Sequence, residues 1–311
     1  MTESSTAANL KSKLSFSTLG CPDWSWRDLL DKGTAYGFAG VEIRLLEREV
    51  DLLKCAVFQQ GELAARRSEL QSAGFRVCGL ASSVRFHDAG DAERRRHLET
   101  GKRYLELAHE LGAEFVRVFG DVIPENARHD PAAMESTLDW IADGLETLGE
   151  AAHATGRKII VETHGDFADS FLMQRLMRKV ASPAIGVLWD THHPWRFFGE
   201  RLNETFDRLK AWTVHTHWKD SITAATHKAT VTDAADRQAR RLMDGHRPAD
   251  YVLMGDGEFP TADALSLLIG EGYAGWLSLE WEKMWHPEIA DPEIAFPIYV
   301  QRMHEALDRF K

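Results

Sequence analysis

Two histidines stand two residues apart in Val214-His215-Thr216-His217-Trp218-Lys219-Asp220, at the end of a short apolar run. On an extended strand this spacing turns both imidazoles toward one face. Three further apolar runs end in a carboxylate: Lys158–Val161 before Glu162, Ile185–Trp189 before Asp190, and Trp276–Leu279 before Glu280. One imidazole with three carboxylates is a ligand set for a hard divalent cation, because carboxylates crowded at one place repel unless protonated or neutralised. Glu162, Asp190, His217 and Glu280 are therefore the candidate ligands. The set predicts Mn²⁺, with Mg²⁺, Co²⁺ or Zn²⁺ as alternatives. His215 shares the face of His217 one layer deeper, where a supporting role is expected.

These side chains converge only if the strands carrying them lie side by side. The chain alternates strand-like and helix-like segments, eight of each, from Leu14 to Phe310. Strands that are apolar on both faces and separated by helices imply parallel pairing. Eight such units predict an α/β fold, a single (β/α)8 TIM barrel, over residues 13–311, with residues 1–12 as a disordered leader. The ends of strands five to eight then form one rim, where the catalytic groups of this fold sit. The first strand is not followed by a GxGxxG turn, which removes the main indication of a dinucleotide fold.

Composition narrows the partners. With 311 residues, 44% hydrophobic content, 10 Trp and 15 Phe, the chain has material for a packed core. A formal net charge of -11 repels phosphate backbones and anionic lipid, so nucleic acid and membrane surfaces are not expected partners. Cys21, Cys55 and Cys78 show neither pairing nor CxxC spacing. The polar first residues do not resemble a signal peptide, and a cytoplasmic location is expected.

Several residues near the ligand-bearing ends are candidates for substrate contact. His164 lies two after Glu162 and reads either as a substrate contact or as a rim residue. Glu42 and Arg44 read as a substrate-binding couple or as a structural ion pair. Of His192 and His193, neighbours with opposite parity, one can face the pocket. Trp195, Trp218, Trp281 and Trp285 follow ligand-bearing strands, and an aromatic face suits the C–H face of a sugar. The long connection 222–250 after strand seven rises from the same rim. Its Ala234–Met243 portion reads as a helix carrying Arg237, Arg240 and Arg241, flanked by His227, Lys228, His246 and Arg247, and is expected to form a lid or a contact in a homo-oligomer.

Together, Gly40-Val-Glu-Ile-Arg44, Val161-Glu162, Trp189-Asp190-Thr-His-His193, the His215–Asp220 stretch, Gly255-Asp-Gly-Glu-Phe-Pro260 and Leu279-Glu280 resemble the xylose-isomerase-like TIM-barrel superfamily of sugar isomerases and epimerases. The resemblance implies that Glu162 and Glu280 are the catalytic acid/base pair as well as metal ligands. It also implies that His193 touches a substrate oxygen. Lys219 and Trp281, close to ligand-bearing strand ends, are further candidate substrate contacts. Two positions depart from the pattern of the ketose 3-epimerases in the group: Thr223 stands where they place an Arg, and Ala168 where they place a Glu. The implied substrate is a small sugar or cyclitol. The implied reaction is proton abstraction next to a carbonyl through an enediolate, giving isomerisation or epimerisation. The alternative is a lyase or dehydratase of the same superfamily, acting on inososes, dehydroshikimate or 3-oxo-glycosides.

Overall fold

The computed structural model describes residues 2–224 and 248–310. The expected helix Ala234–Met243, its three arginines, and His227, Lys228, His246 and Arg247 lie outside the described residues. Eight parallel strands close a barrel in the order β1-β10-β7-β6-β5-β4-β3-β2. They are β1 (Leu14–Ser17), β2 (Gly40–Ile43), β3 (Arg76–Arg85), β4 (Phe115–Phe119), β5 (Lys158–Glu162), β6 (Ile185–Asp190), β7 (Thr213–Trp218) and β10 (Leu277–Leu279). Two further strands, β8 (Asp220–Thr223) and β9 (Ala249–Val252), pair antiparallel outside the barrel.

Local chemistry explains the alternation. Helix Trp26–Ala35 opens on a capping box in which Ser25 and Asp28 satisfy each other's backbone N–H groups. The long helices Asp91–Leu111 and Pro131–Thr155 stop at Gly112 (φ 74°) and Gly156 (φ 66°), left-handed positions that glycine adopts without a Cβ penalty. Each glycine turns the chain back into the next strand, β4 or β5.

The barrel interior is layered. Cys78, Phe115, Ile160, Leu188 and Trp276 form a small apolar cluster within it, and His215 rests on Phe115 with ring centroids 4.5 Å apart. Inward positions recur every second residue. Ile160 therefore stands below Glu162, Leu188 below Asp190, Phe115 below Arg117 and His215 below His217. An apolar floor thus carries a polar upper layer at the C-terminal end of the barrel.

Three expectations need correction. The first twelve residues are not a disordered leader, for Glu3–Lys11 is a helix capped by Thr2, and Thr6, Ala7 and Leu10 are buried against the closing helix Pro292–Leu307 and its neighbours. Burial at spacings of one and three residues supplies what its polar composition hides. The connection after β7 contains the β8–β9 pair, which the polar character of 220–224 did not reveal. The last barrel strand ends at Leu279, so Glu280 begins the loop rather than closing the strand. No helix among the described residues is long and apolar enough to cross a membrane.

Candidate active site

Glu162 ends β5, Asp190 ends β6, His217 is the penultimate residue of β7, and Glu280 follows β10. Neighbouring strands bring one ligand atom of each within 4.8 Å of the others, and all four are buried. His217 Nδ1 lies 3.3 Å from Glu280 Oε1, 3.4 Å from Glu162 Oε1 and 3.9 Å from Asp190 Oδ2. Ligand atoms bonded at about 2.0–2.2 Å to one ion stand roughly 3–3.6 Å apart, so the set is close to the size of a coordination sphere.

The hydrogen bonding tests whether a cation fits. His217 Nε2 donates to Glu42 Oε2 at 2.8 Å, which in a neutral ring leaves a lone pair on Nδ1. That lone pair faces Glu162 Oε1 and Glu280 Oε1, and His217 Nδ1 is buried without a well-formed hydrogen bond, while Glu162 Oε2 and Asp190 Oδ2 lie beside Arg117 and Lys219. A buried lone pair turned toward carboxylate oxygens is costly unless a proton or a metal ion joins them. The residues present fit a divalent metal, which Glu162, Asp190, His217 and Glu280 would hold.

Glu42 is turned inward, to the two histidines of β7. It is fully buried, and the same Oε2 also accepts from His215 Nε2 at 2.9 Å. Burial would raise its carboxyl, but His217 and His215 outweigh that and hold it well below the usual carboxylate range. Arg44, its expected partner, turns to the rim, where Nη2 donates to Ser83 Oγ at 3.0 Å. Barrel twist separates the two side chains and pairs Glu42 with strand β7 across the interior.

The two candidate catalytic carboxylates are each backed by a cation. Arg117 from β4, 2% exposed, lies with Nε 3.2 Å from Glu162 Oε2. Its signal was present in the sequence as a charged residue at the centre of Phe-Val-Arg-Val-Phe. Lys219, fully buried, contacts Glu280 Oε2, Asp190 Oδ2 at 2.8 Å and Glu282 Oε1 at 3.0 Å. Lys219 is thus in the expected place but is engaged with protein carboxylates, and Glu282 is a neighbour the sequence reading missed. Burial and Glu280 oppose charge on Glu162, yet Arg117 and His217 lower its pKa below the usual value. Burial likewise opposes charge on Glu280, and His217 with Lys219 holds it well below.

Parity settles the histidines and tryptophans. Asp190 Oδ1 accepts the backbone N–H groups of His192 and His193, both at 2.9 Å, which fixes the turn and leaves Oδ2 for the site. His193 faces the site, its Nδ1 donating to Thr163 O at 3.0 Å and its Nε2 accepting from Lys219 Nζ at 2.8 Å. Burial and Lys219 push its pKa well below the usual value. His192 turns away to Ser221 Oγ at 2.7 Å. His164 pairs through Nδ1 with Asp121 Oδ1 at 3.3 Å, and its side chain stays 24% exposed at the mouth. Burial disfavours its charge, but the Asp121 contact prevails and raises its pKa. Asp121 itself sits at φ 62°, an uncommon conformation for a residue with a Cβ.

Trp281 is not a sugar platform. Between inward-facing Glu280 and Glu282 it points outward, 2% exposed in the core, with its indole N–H on Ala290 O at 2.8 Å. Trp218 is fully buried for the same reason. Aromatic rings that do approach the site include Tyr251 of β9, 5.9 Å from Lys219 Nζ, Phe197, 5.2 Å from His193 between ring centroids, and Phe119, 4.6 Å from His164. Asp220 holds this outer pair down by accepting N–H groups from Ser221, Gly255, Gly257 and Phe259. Thr223, where the ketose 3-epimerases place an Arg, accepts from Arg196 Nη1 at 2.8 Å.

Comparison with known proteins places this arrangement. An inosose dehydratase of Salmonella agona (strain SL483) is 24% identical over 295 residues, covering 91% of this chain and 88% of the relative. One of Geobacillus thermodenitrificans (strain NG80-2) is 24% identical over 275 residues, covering 82% and 81%. Among solved structures, the probable 3-DHS dehydratase AsbF of Bacillus anthracis superposes with a TM-score of 0.69 at 17% identity, over 95% of this chain and 98% of that one. L-ribulose 3-epimerase gives 0.70 at 14% identity, over 96% of each chain. A xylose isomerase-like TIM barrel protein from Mycobacterium smegmatis in complex with magnesium gives 0.66 at 14% identity, again over 96% of each. At these identities the structural likeness speaks for the fold alone. The family described as xylose isomerase-like TIM barrel matches residues 30–296, a span that includes all four candidate ligands, and the chain belongs to that family.

Proposed function

We propose that this chain is a divalent-metal-dependent lyase that removes water from a polyhydroxylated ketone of the cyclitol or sugar class. The observation that carries the reading is the presence, at one mouth, of Glu162 beside Arg117 and of His164, two residues on, beside Asp121. Glu162, kept ionised beside Arg117, is placed to take the proton next to the carbonyl. His164, held by Asp121 and with its pKa raised, is placed to give a proton to the departing hydroxyl. A bound divalent ion, Mn²⁺ by the donor set, would polarise the carbonyl and so ease proton removal. His193 and Lys219 hydrogen-bond to each other beside the candidate ligands, with the Tyr251 ring 5.9 Å from Lys219 Nζ. The curated relatives named as dehydratases support elimination. The alternative of isomerisation or epimerisation is favoured by one feature, the placement of Glu162 and Glu280 on either side of His217, which would let one take a proton and the other return it.

A product-resolved screen of inososes, ketoses and 3-oxo-glycosides with added Mn²⁺ separates the two, because elimination changes the product mass by one water and epimerisation leaves it unchanged. Under the lyase reading a dehydrated product forms, and His164→Asn slows it about 100-fold or more, the usual contribution of a general acid. An isobaric product formed equally fast by His164→Asn sinks the lyase and leaves the epimerase. Elemental analysis of Glu162→Gln, Asp190→Asn and His217→Ala tests the metal, which should be lost or reduced in each.

A further inference from the structure

Beside the four-ligand centre lies a second set of ligand atoms. His193, Glu280 and Glu282 each offer one within 4.8 Å of the others, the same criterion that the first set meets. Lys219 Nζ stands among them, 2.8 Å from His193 Nε2, 3.0 Å from Glu282 Oε1 and in contact with Glu280 Oε2. A fourth neighbour, Asp190 Oδ2, is at 2.8 Å. Three carboxylates and one imidazole therefore surround the ammonium, the same donor types as in the first set. We propose that the Lys219 ammonium occupies the position of a second divalent cation and so limits the centre to one metal ion per chain. The proposal rests on the assignment of Glu162, Asp190, His217 and Glu280 as metal ligands.

Charge supports the assignment. Glu42, Glu162, Asp190, Glu280 and Glu282 meet two fixed cations, Arg117 and Lys219. One divalent ion beside an intact Lys219 leaves a single negative charge. With Lys219 replaced by a neutral side chain, four negative charges remain, which two divalent ions balance. The geometry also matches. Asp190 and Glu280 belong to both sets, as bridging carboxylates do in two-metal sites whose ions stand about 3.5–4 Å apart. Ammonium contacts of 2.8–3.0 Å need shorten by less than about 1 Å to become metal bonds of about 2.0–2.2 Å. Lys219 is fully buried at the junction of β7 and β8, so its amine has no solvent to withdraw to.

The test is Mn²⁺ stoichiometry, read by the EPR signal of free Mn²⁺ during titration of metal-stripped protein and by elemental analysis after dialysis. Wild type should bind one ion per chain. Lys219→Met and Lys219→Gln, the second close to the native shape and able to hydrogen-bond, should bind two, with the spin-coupled spectrum of neighbouring ions. Adding Glu282→Gln to Lys219→Met should return the count to one. Two coupled ions in wild type overturn the proposal without touching the four-ligand centre. One ion in either lysine variant, with native circular dichroism, overturns it as well. No bound ion in wild type removes the four-ligand centre itself, and the proposal with it.

Discussion

Glu42 shows how a residue's type can be legible while its job is not. A Glu at the end of a strand announces a charge, but its partners, His215 and His217, are 173 and 175 residues away in sequence. By accepting from His217 Nε2 it holds the imidazole in the tautomer that presents a lone pair at Nδ1, as carboxylates behind metal-bound histidines do. Glu42→Gln should therefore weaken Mn²⁺ binding about 10- to 100-fold with the fold retained, measured by titration of metal-stripped protein. Unchanged affinity would reduce Glu42 to a packing partner. Arg117 is the reverse case, a charge inside an apolar strand that lies beside Glu162. Removing it as Arg117→Met leaves a buried carboxylate without its cation, and should cost about 3–5 kcal/mol of stability in urea unfolding of the metal-free protein.

At the scale of elements, strands and helices that bury a face were legible because burial writes a period into the sequence. The apolar runs that end at Glu162 and Asp190 appear as the strands Lys158–Glu162 and Ile185–Asp190. Elements that lean on a neighbour were not. The first helix carries too little apolar surface to announce itself, and the β8–β9 pair is anchored by Asp220 and Arg196, which hydrogen-bond Phe259 N–H and Ser221 O. If the first helix is part of the folded core, Leu10→Ala should destabilise the protein by about 2–5 kcal/mol in denaturant unfolding, the range for emptying a packed leucine site. A disordered leader would leave stability untouched.

Over the whole molecule, barrel closure gathers charges that the chain keeps far apart, and the cost of that gathering predicts how the protein responds to metal. A ligand that binds only the folded state stabilises it by RT ln(1 + [L]/Kd), about 2.7 kcal/mol at 100 times Kd. Adding Mn²⁺ to metal-stripped protein should accordingly raise the Tm by several degrees, and a chelator should reverse the shift in a thermal melt. A melting curve indifferent to Mn²⁺ would argue against the four-ligand centre.

The sequence by itself determined the alternation of strand and helix, the barrel, and the four candidate ligands, because each of these rests on local period and on which residue ends an apolar run. It could also name His193 and Lys219 as neighbours of the ligands. Only the tertiary structure decided that Glu42 reaches His215 and His217 across the interior, that Trp281 faces the core, that Arg117 and Lys219 back Glu162 and Glu280, and that Glu282 joins them. The physical reason is that a side chain's partner across a closed barrel depends on strand twist, register and closure. None of these is carried by the few residues around it.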